Sequence, residues 1–184
     1  MDYKSLEDKY RTLIQKIIED NKKFYELDFD INIKWKFFAD ENVSLVAKTN
    51  RKTLELEVNI FAVDFSHQIN EPLTIEYYIL HEIRHIYQII CVNNISSNKC
   101  PDLKKAKIYE KEFKNYSKPL RSTDSYFNQL TEFEAFVFSY SVMKYKYGDV
   151  KYIKYPDFYN KQNFDIEKHI KNWLEIFKNK NLFL

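Results

Sequence analysis

The segment His81-Glu82-Ile83-Arg84-His85 places two histidines four residues apart, with a glutamate directly after the first. On a helix, residues at this spacing have Cβ atoms about 5–6 Å apart, so both imidazoles can reach one point. Zinc binds neutral imidazole readily, and catalytic zinc sites combine three protein ligands with a water. The segment therefore predicts a zinc site with ligands His81 and His85. The alternative is a pair of solvent-facing or hydrogen-bonded histidines.

Glu82 has a different predicted role. It follows His81 and is rotated from the row of histidines by about 100°, so it flanks the site and does not join the ligands. A carboxylate there can accept a proton from a water that the metal activates. The segment thus predicts a metal-dependent hydrolase with Glu82 as general base.

A catalytic zinc site needs a third protein ligand. The other histidines, His67 and His169, do not stand at a spacing that suits a third histidine ligand. A carboxylate is the better candidate, and Glu132 and Glu134 stand on one predicted helix. Glu134 falls within an apolar stripe, where an acid is costly unless it is paired or binds metal, whereas Glu132 shares its face with polar side chains. We expect Glu134 to be the ligand, with Glu132 as the other candidate; a Glu134 paired with a buried lysine or tyrosine is the alternative.

Hydrophobic periodicity predicts the elements that position these residues. In chain order they are a helix at 4–24, a strand at 31–38, hairpin arms at 43–48 and 53–61, a connector at 62–72 ending in Pro72, the helix with both histidines at 73–92, an insertion at 93–121 with a short helix near 102–115, a long helix from Ser122-Thr123-Asp124 to about Tyr147 and Gly148, and a last helix at 164–179. This order predicts an α+β fold in a single domain spanning 1–184, with a small, mostly antiparallel three-stranded sheet packed against the histidine helix.

Composition narrows the functional classes. The chain has 184 residues and a single glycine, which excludes the glycine-rich phosphate loops of common nucleotide-binding proteins. A net charge of +2 does not indicate a nucleic-acid partner. The charged N-terminus does not resemble a signal peptide, and no apolar run approaches the roughly 18 residues of a membrane span, so we expect a cytoplasmic protein without a membrane partner. Cys91 and Cys100 are expected to be free thiols, with a disulfide between them as the alternative.

Two segments together resemble a known family. His81-Glu82-Ile83-Arg84-His85, followed by Glu132-Phe133-Glu134-Ala135-Phe136-Val137-Phe138-Ser139, is similar to the ImmA/IrrE group of small zinc metallopeptidases, whose later helix typically reads Glu-x-Glu-Ala-x-x-Phe-Ala. The match comprises Glu132, Glu134, Ala135 and Phe138, with Ser139 in place of the final alanine. The resemblance implies a zincin-like fold, Zn²⁺ held by His81, His85 and Glu134, and Glu82 as general base. It also implies a bacterial or phage protein with a protein or peptide substrate, such as a regulatory protein of a phage or mobile element.

Two functions of different classes follow. In the first, the protein is a metallopeptidase, and the arm at 54–61 lies beside the histidine helix, where it can pair with an extended substrate. In the second, it is a non-catalytic zincin-fold binding or regulatory protein, and the lysine-rich part of the insertion, 99–121, is a partner surface. The insertion begins where the histidine helix ends, and it ends where the helix with Glu132 and Glu134 begins. We therefore expect it to border the site and to limit which substrates enter. The alternative is a solvent-exposed surface loop without such a role.

Overall fold

A computed structural model of the chain describes residues 2–26, 30–97, 99–116, 123–161 and 165–182. The elements are α1 (Tyr3–Asp20), α2 (Lys22–Tyr25), β1 (Lys34–Phe38), β2 (Ala47–Asn50), β3 (Glu55–Asn59), α3 (Ile60–Gln68), α4 (Leu73–Asn93), α5 (Leu103–Lys114), α6 (Thr123–Phe127), α7 (Leu130–Tyr147), α8 (Asp157–Lys161) and α9 (Ile166–Asn179). This order confirms the α+β class. Within these ranges no helix is both long enough and apolar enough to cross a membrane.

The three described strands form a mixed sheet in the order β1-β3-β2. The predicted hairpin is present, with β2 antiparallel to β3. The prediction of a mostly antiparallel sheet is wrong, because β1 pairs with β3 in parallel. Alternating side chains identify a strand, but they do not specify the direction of its neighbour. The central strand β3 buries Leu56 and Val58 completely.

The predicted connector at 62–72 is largely helical, since α3 occupies Ile60–Gln68. Strand β3 ends at Asn59, whose side chain caps the helix by accepting a hydrogen bond from the backbone N–H of Phe61 at 3.2 Å. Ala62 and Val63 on the first turn are fully buried. The predicted strand at 53–61 is therefore too long at its end, because helix α3 begins at Ile60, directly after the Asn59 cap.

Helix α4 is the centre of the fold. It confirms the predicted helix, begins after Pro72, and packs against α2, α3, α5, α7 and strands β2 and β3. Its isoleucines Ile79, Ile83 and Ile86 enter the core, and the two histidines are buried as well. His81 is 3% and His85 is 8% exposed. The histidines are therefore not solvent-facing, which was the alternative to a metal site.

The predicted long helix is divided in two. Asn128 and Gln129 separate the short α6 from α7, and the proposed cap residue Ser122 lies outside the described residues. Gly148 ends α7 as predicted, with a φ of 71° and its N–H bonded to the carbonyl of Lys144 at 3.0 Å. The predicted last helix is present as α9, which packs on α7.

The predicted short helix near 102–115 is α5. It buries Ala106 and Tyr109 and packs against both α4 and α7, so the described part of segment 93–121 contributes to the core. Cys91, at the end of α4, and Cys100, just before α5, are both free thiols. Segment 93–121 therefore reaches the two helices that carry the candidate ligands.

Candidate metal centre

Three buried side chains converge on one point between α4 and α7. The Nε2 atoms of His81 and His85 are 3.1 Å apart, and each lies 3.4 Å from Oε2 of Glu132. With zinc bonds of about 2.0–2.1 Å in tetrahedral geometry, neighbouring ligand atoms stand about 3.3–3.4 Å apart. The observed triangle already has nearly these dimensions. His81, His85 and Glu132 thus form a buried group that could hold a metal ion.

The carboxylate of the group comes from the first turn of α7, and α5 supports the start of that helix. The carboxylate of Glu112 accepts hydrogen bonds from the backbone N–H groups of Leu130 at 2.8 Å and Thr131 at 2.9 Å. These N–H groups have no partner within the helix, and a negative charge at a helix N-terminus is stabilising. Glu112 therefore holds the turn that presents Glu132 to the histidines.

The orientation of His85 is set by Gln88 on the next turn of α4. The amide nitrogen of Gln88 donates to the backbone carbonyl of Thr131 at 3.0 Å, so its amide oxygen faces His85 Nδ1 at 2.9 Å. That oxygen can only accept, which places a proton on Nδ1 of His85. In neutral His85, Nε2 then carries the lone pair and points at the triangle, as a metal ligand requires.

The environment of Glu132 favours a cation. Glu132 is fully buried, and its Oε1 accepts a hydrogen bond from the Tyr116 hydroxyl at 2.8 Å. Among the described residues its Oε2 has no hydrogen-bond partner, and neither does Nδ1 of His81. A buried carboxylate oxygen needs a cation or a donor beside it, and a metal ion at Oε2 would meet that need.

The charges of this group depend on one another. Burial opposes protonation of His85, but the Glu132 carboxylate outweighs it and raises the pKa of His85 to about 9. Burial also opposes ionisation of Glu132, yet His85 and His81 hold the pKa of Glu132 well below its usual range. Without metal the group is thus an ion pair, and a metal ion takes the place of the shared proton.

Glu82 lies at the rim of the group, as the sequence predicted. Its Oε1 is 4.0 Å from Nε2 of His81, and its side chain is 14% exposed. The hydroxyl of Thr49 on strand β2 donates to the Glu82 backbone carbonyl at 2.9 Å. This bond joins the edge of the sheet to the turn of α4 that carries the candidate base.

The structure does not bring Glu134, the expected third ligand, to the histidines; the other candidate, Glu132, lies there. Glu134 points away from the histidines: its Oε1 is 2.8 Å from Nζ of Lys105, and its Oε2 accepts a hydrogen bond from the Tyr109 hydroxyl. Glu134 is thus paired with a lysine and a tyrosine, the alternative that the sequence had left open. The preference for Glu134 assumed that one face of α7 is exposed to solvent, but residues 131–139 are buried on every side of the helix.

Three residues that support the candidate ligands were not predicted from the sequence: Gln88, Glu112 and Tyr116. Gln88 had a signal, because it lies three residues after His85 on the same side of the helix and can bond to that ring. Glu112 and Tyr116 lie far from α7 in sequence, and only the packing of α5 brings them there. No periodicity along the chain could have identified them.

The group is enclosed by aromatic side chains. Tyr116 bonds to Glu132, and the ring of Phe136 lies 4.2 Å from that of His81. The guanidinium of Arg51, in the β2–β3 turn, stacks 3.9 Å from the Tyr116 ring. Since Tyr116 belongs to segment 93–121, the described end of that segment borders the site. His81, His85 and Glu132 are all buried among the described residues.

Comparisons with known proteins assign no family: no family model, curated sequence or solved structure matches this chain.

Proposed function

We propose that this protein is a zinc-dependent metallopeptidase of the ImmA/IrrE type, with His81, His85 and Glu132 as zinc ligands and Glu82 as general base. The observation that carries the proposal is the triangle of two Nε2 atoms and one carboxylate oxygen, with edges of 3.1, 3.4 and 3.4 Å. Two histidines and one carboxylate also suit Fe²⁺. The glutamate directly after the first histidine favours zinc and hydrolysis.

Each residue has a defined task in peptide hydrolysis. Zinc, when bound, supplies a Lewis acid that polarises the peptide carbonyl and acidifies a water molecule. The carboxylate of Glu82 accepts the proton of the attacking water and passes it to the departing amine. Gln88 and Tyr116 keep His85 and Glu132 in place. The closed aromatic surroundings strengthen electrostatic interactions by excluding bulk water.

An extended substrate has one suitable strand beside the site. The sequence-based expectation that the arm at 54–61 pairs with substrate is wrong, because β3 is central and bonded on both sides. Strand β2 is an edge strand, and its Thr49 is bonded to Glu82. We place the peptide backbone along β2, as edge strands accept added strands. The substrate class is a protein or peptide, and the resemblance suggests a regulatory protein of a phage or mobile element.

The enclosure of the three donors favours a second candidate, a non-catalytic protein in which the metal stabilises the fold. One experiment separates the two. Zinc-loaded protein is incubated with a library of peptides from a bacterial proteome, and new termini are identified by mass spectrometry. The peptidase proposal predicts cleavage that is lost after chelation and in His81→Ala. Zinc binding without any cleavage would support the non-catalytic role, and failure to bind zinc would contradict both.

A further inference from the structure

A separate cavity of about 310 Å³ lies between α4, α5, α7 and α9. None of His81, His85 and Glu132 lines it. Its lining combines aromatic rings, including those of Tyr87 and Trp173, with the charged side chains of Arg84, Lys105, Glu134 and Asp102. Small-molecule sites have this character, largely apolar with a few convergent polar groups, and this volume is near the lower end of their range of about 300–1,000 Å³.

Arg84 is the polar group whose bonding is incomplete. It is 8% exposed, and its guanidinium carbon lies 4.1 Å from the centre of the Tyr87 ring and 5.2 Å from that of Trp173. Its Nη2 is 3.6 Å from Oε2 of Glu134, too far for a good hydrogen bond. Its Nε is buried and has no partner among the described residues. A guanidinium has five N–H donors, so Arg84 has capacity for another acceptor.

The contacts of Glu134 leave Arg84 without a close carboxylate partner. Oε1 of Glu134 is 2.8 Å from Nζ of Lys105, and its Oε2 accepts from the Tyr109 hydroxyl. Asp102 also lines the cavity, but it is exposed and its carboxylate caps α5 by accepting from the N–H of Lys105 at 2.9 Å. A carboxylate beside Arg84 would supply the buried guanidinium with an anionic acceptor at hydrogen-bond distance.

We propose that this cavity is a binding site for a small aromatic carboxylate. The carboxylate binds the guanidinium of Arg84, whose planar fork matches two carboxylate oxygens. The ring of the ligand lies against the aromatic side chains of Tyr87 and Trp173. The proposal is independent of zinc and of peptide hydrolysis.

Binding of benzoate, measured by isothermal titration calorimetry and by ligand-observed NMR, tests the proposal. Benzamide has the same shape without the charge, and inorganic phosphate has charge without the ring. We expect saturable binding of benzoate that is roughly tenfold tighter than that of either, because benzamide lacks the charge that strengthens a hydrogen bond to a guanidinium and phosphate lacks the ring that packs on Tyr87 and Trp173. Equal binding of benzamide, tighter binding of phosphate, or no saturable binding of benzoate would overturn the proposal.

Matched arginine variants locate the site. Arg84→Gln should weaken benzoate binding by roughly tenfold or more, and Arg84→Lys should bind with intermediate affinity, because lysine keeps the charge without the planar fork. Arg11→Gln removes an exposed arginine that pairs with Glu7 and should bind benzoate as the wild type does. Circular dichroism verifies that each variant is folded. Wild-type affinity in either folded Arg84 variant would contradict the assignment.

Discussion

The side-chain amide of Gln88 faces Nδ1 of His85 at 2.9 Å, and this contact decides which ring nitrogen is available to a metal. The amide cannot reverse without losing its second bond, to the carbonyl of Thr131 on α7. Gln88 thereby links both helices of the candidate centre. Gln88 orients His85 on α4, and its bond to Thr131 connects that histidine to the first turn of α7, which also carries Glu132.

Gln88→Met tests this orienting role. Methionine fills a similar volume but offers no comparable acceptor to His85, so the ring loses its preferred tautomer and orientation. We expect zinc affinity, measured by competition with a chromophoric chelator, to fall about 10–100-fold, the usual cost of removing such a partner. Gln68→Met, at an exposed glutamine that bonds only to Asp64 among the described contacts, is the control. Unchanged affinity in Gln88→Met would show that His85 needs no such support.

Glu82→Gln separates metal binding from catalysis. The amide keeps the shape of the side chain but cannot accept a proton from water. We expect wild-type zinc content together with a loss of cleavage of roughly 10²–10⁴-fold, measured on a peptide that the wild type cuts. A variant that binds zinc and still cleaves at the wild-type rate would remove Glu82 as the base.

Glu112→Ala tests whether α5 positions the carboxylate ligand. Two N–H groups at the start of α7 lose their acceptor, and the favourable charge at the helix N-terminus is lost. The free energy of unfolding in urea should fall by about 1–2 kcal/mol, and zinc affinity should fall with it. Glu110→Ala removes an exposed glutamate of the same helix that pairs with Lys114 and should cost about 0.5 kcal/mol or less. Equal effects of the two substitutions would contradict the role of Glu112.

The parts of this structure that follow from sequence are those governed by local spacing. The four-residue interval of His81 and His85 brings their rings together on any helix, and the single glycine at 148 ends α7 through its positive φ. The choice between Glu132 and Glu134 could not be made in the same way. Hydrophobic periodicity distinguishes a buried from a solvent-exposed helix face, but α7 packs against α4, α5 and α9, so the pattern does not separate the two glutamates. The parallel pairing of β1 likewise depends on contacts that no local pattern contains.

The most direct test of the proposed zinc centre is metal content in wild type, Glu132→Gln and Glu134→Gln. Each protein is purified without added metal, analysed for zinc and iron, and then titrated with zinc. We predict one zinc per chain in the wild type and in Glu134→Gln, with binding lost or strongly weakened in Glu132→Gln, because of these two glutamates it is Glu132 whose carboxylate lies beside both histidines. A wild type that binds no zinc would contradict the account, as would a Glu132→Gln variant that keeps wild-type zinc affinity.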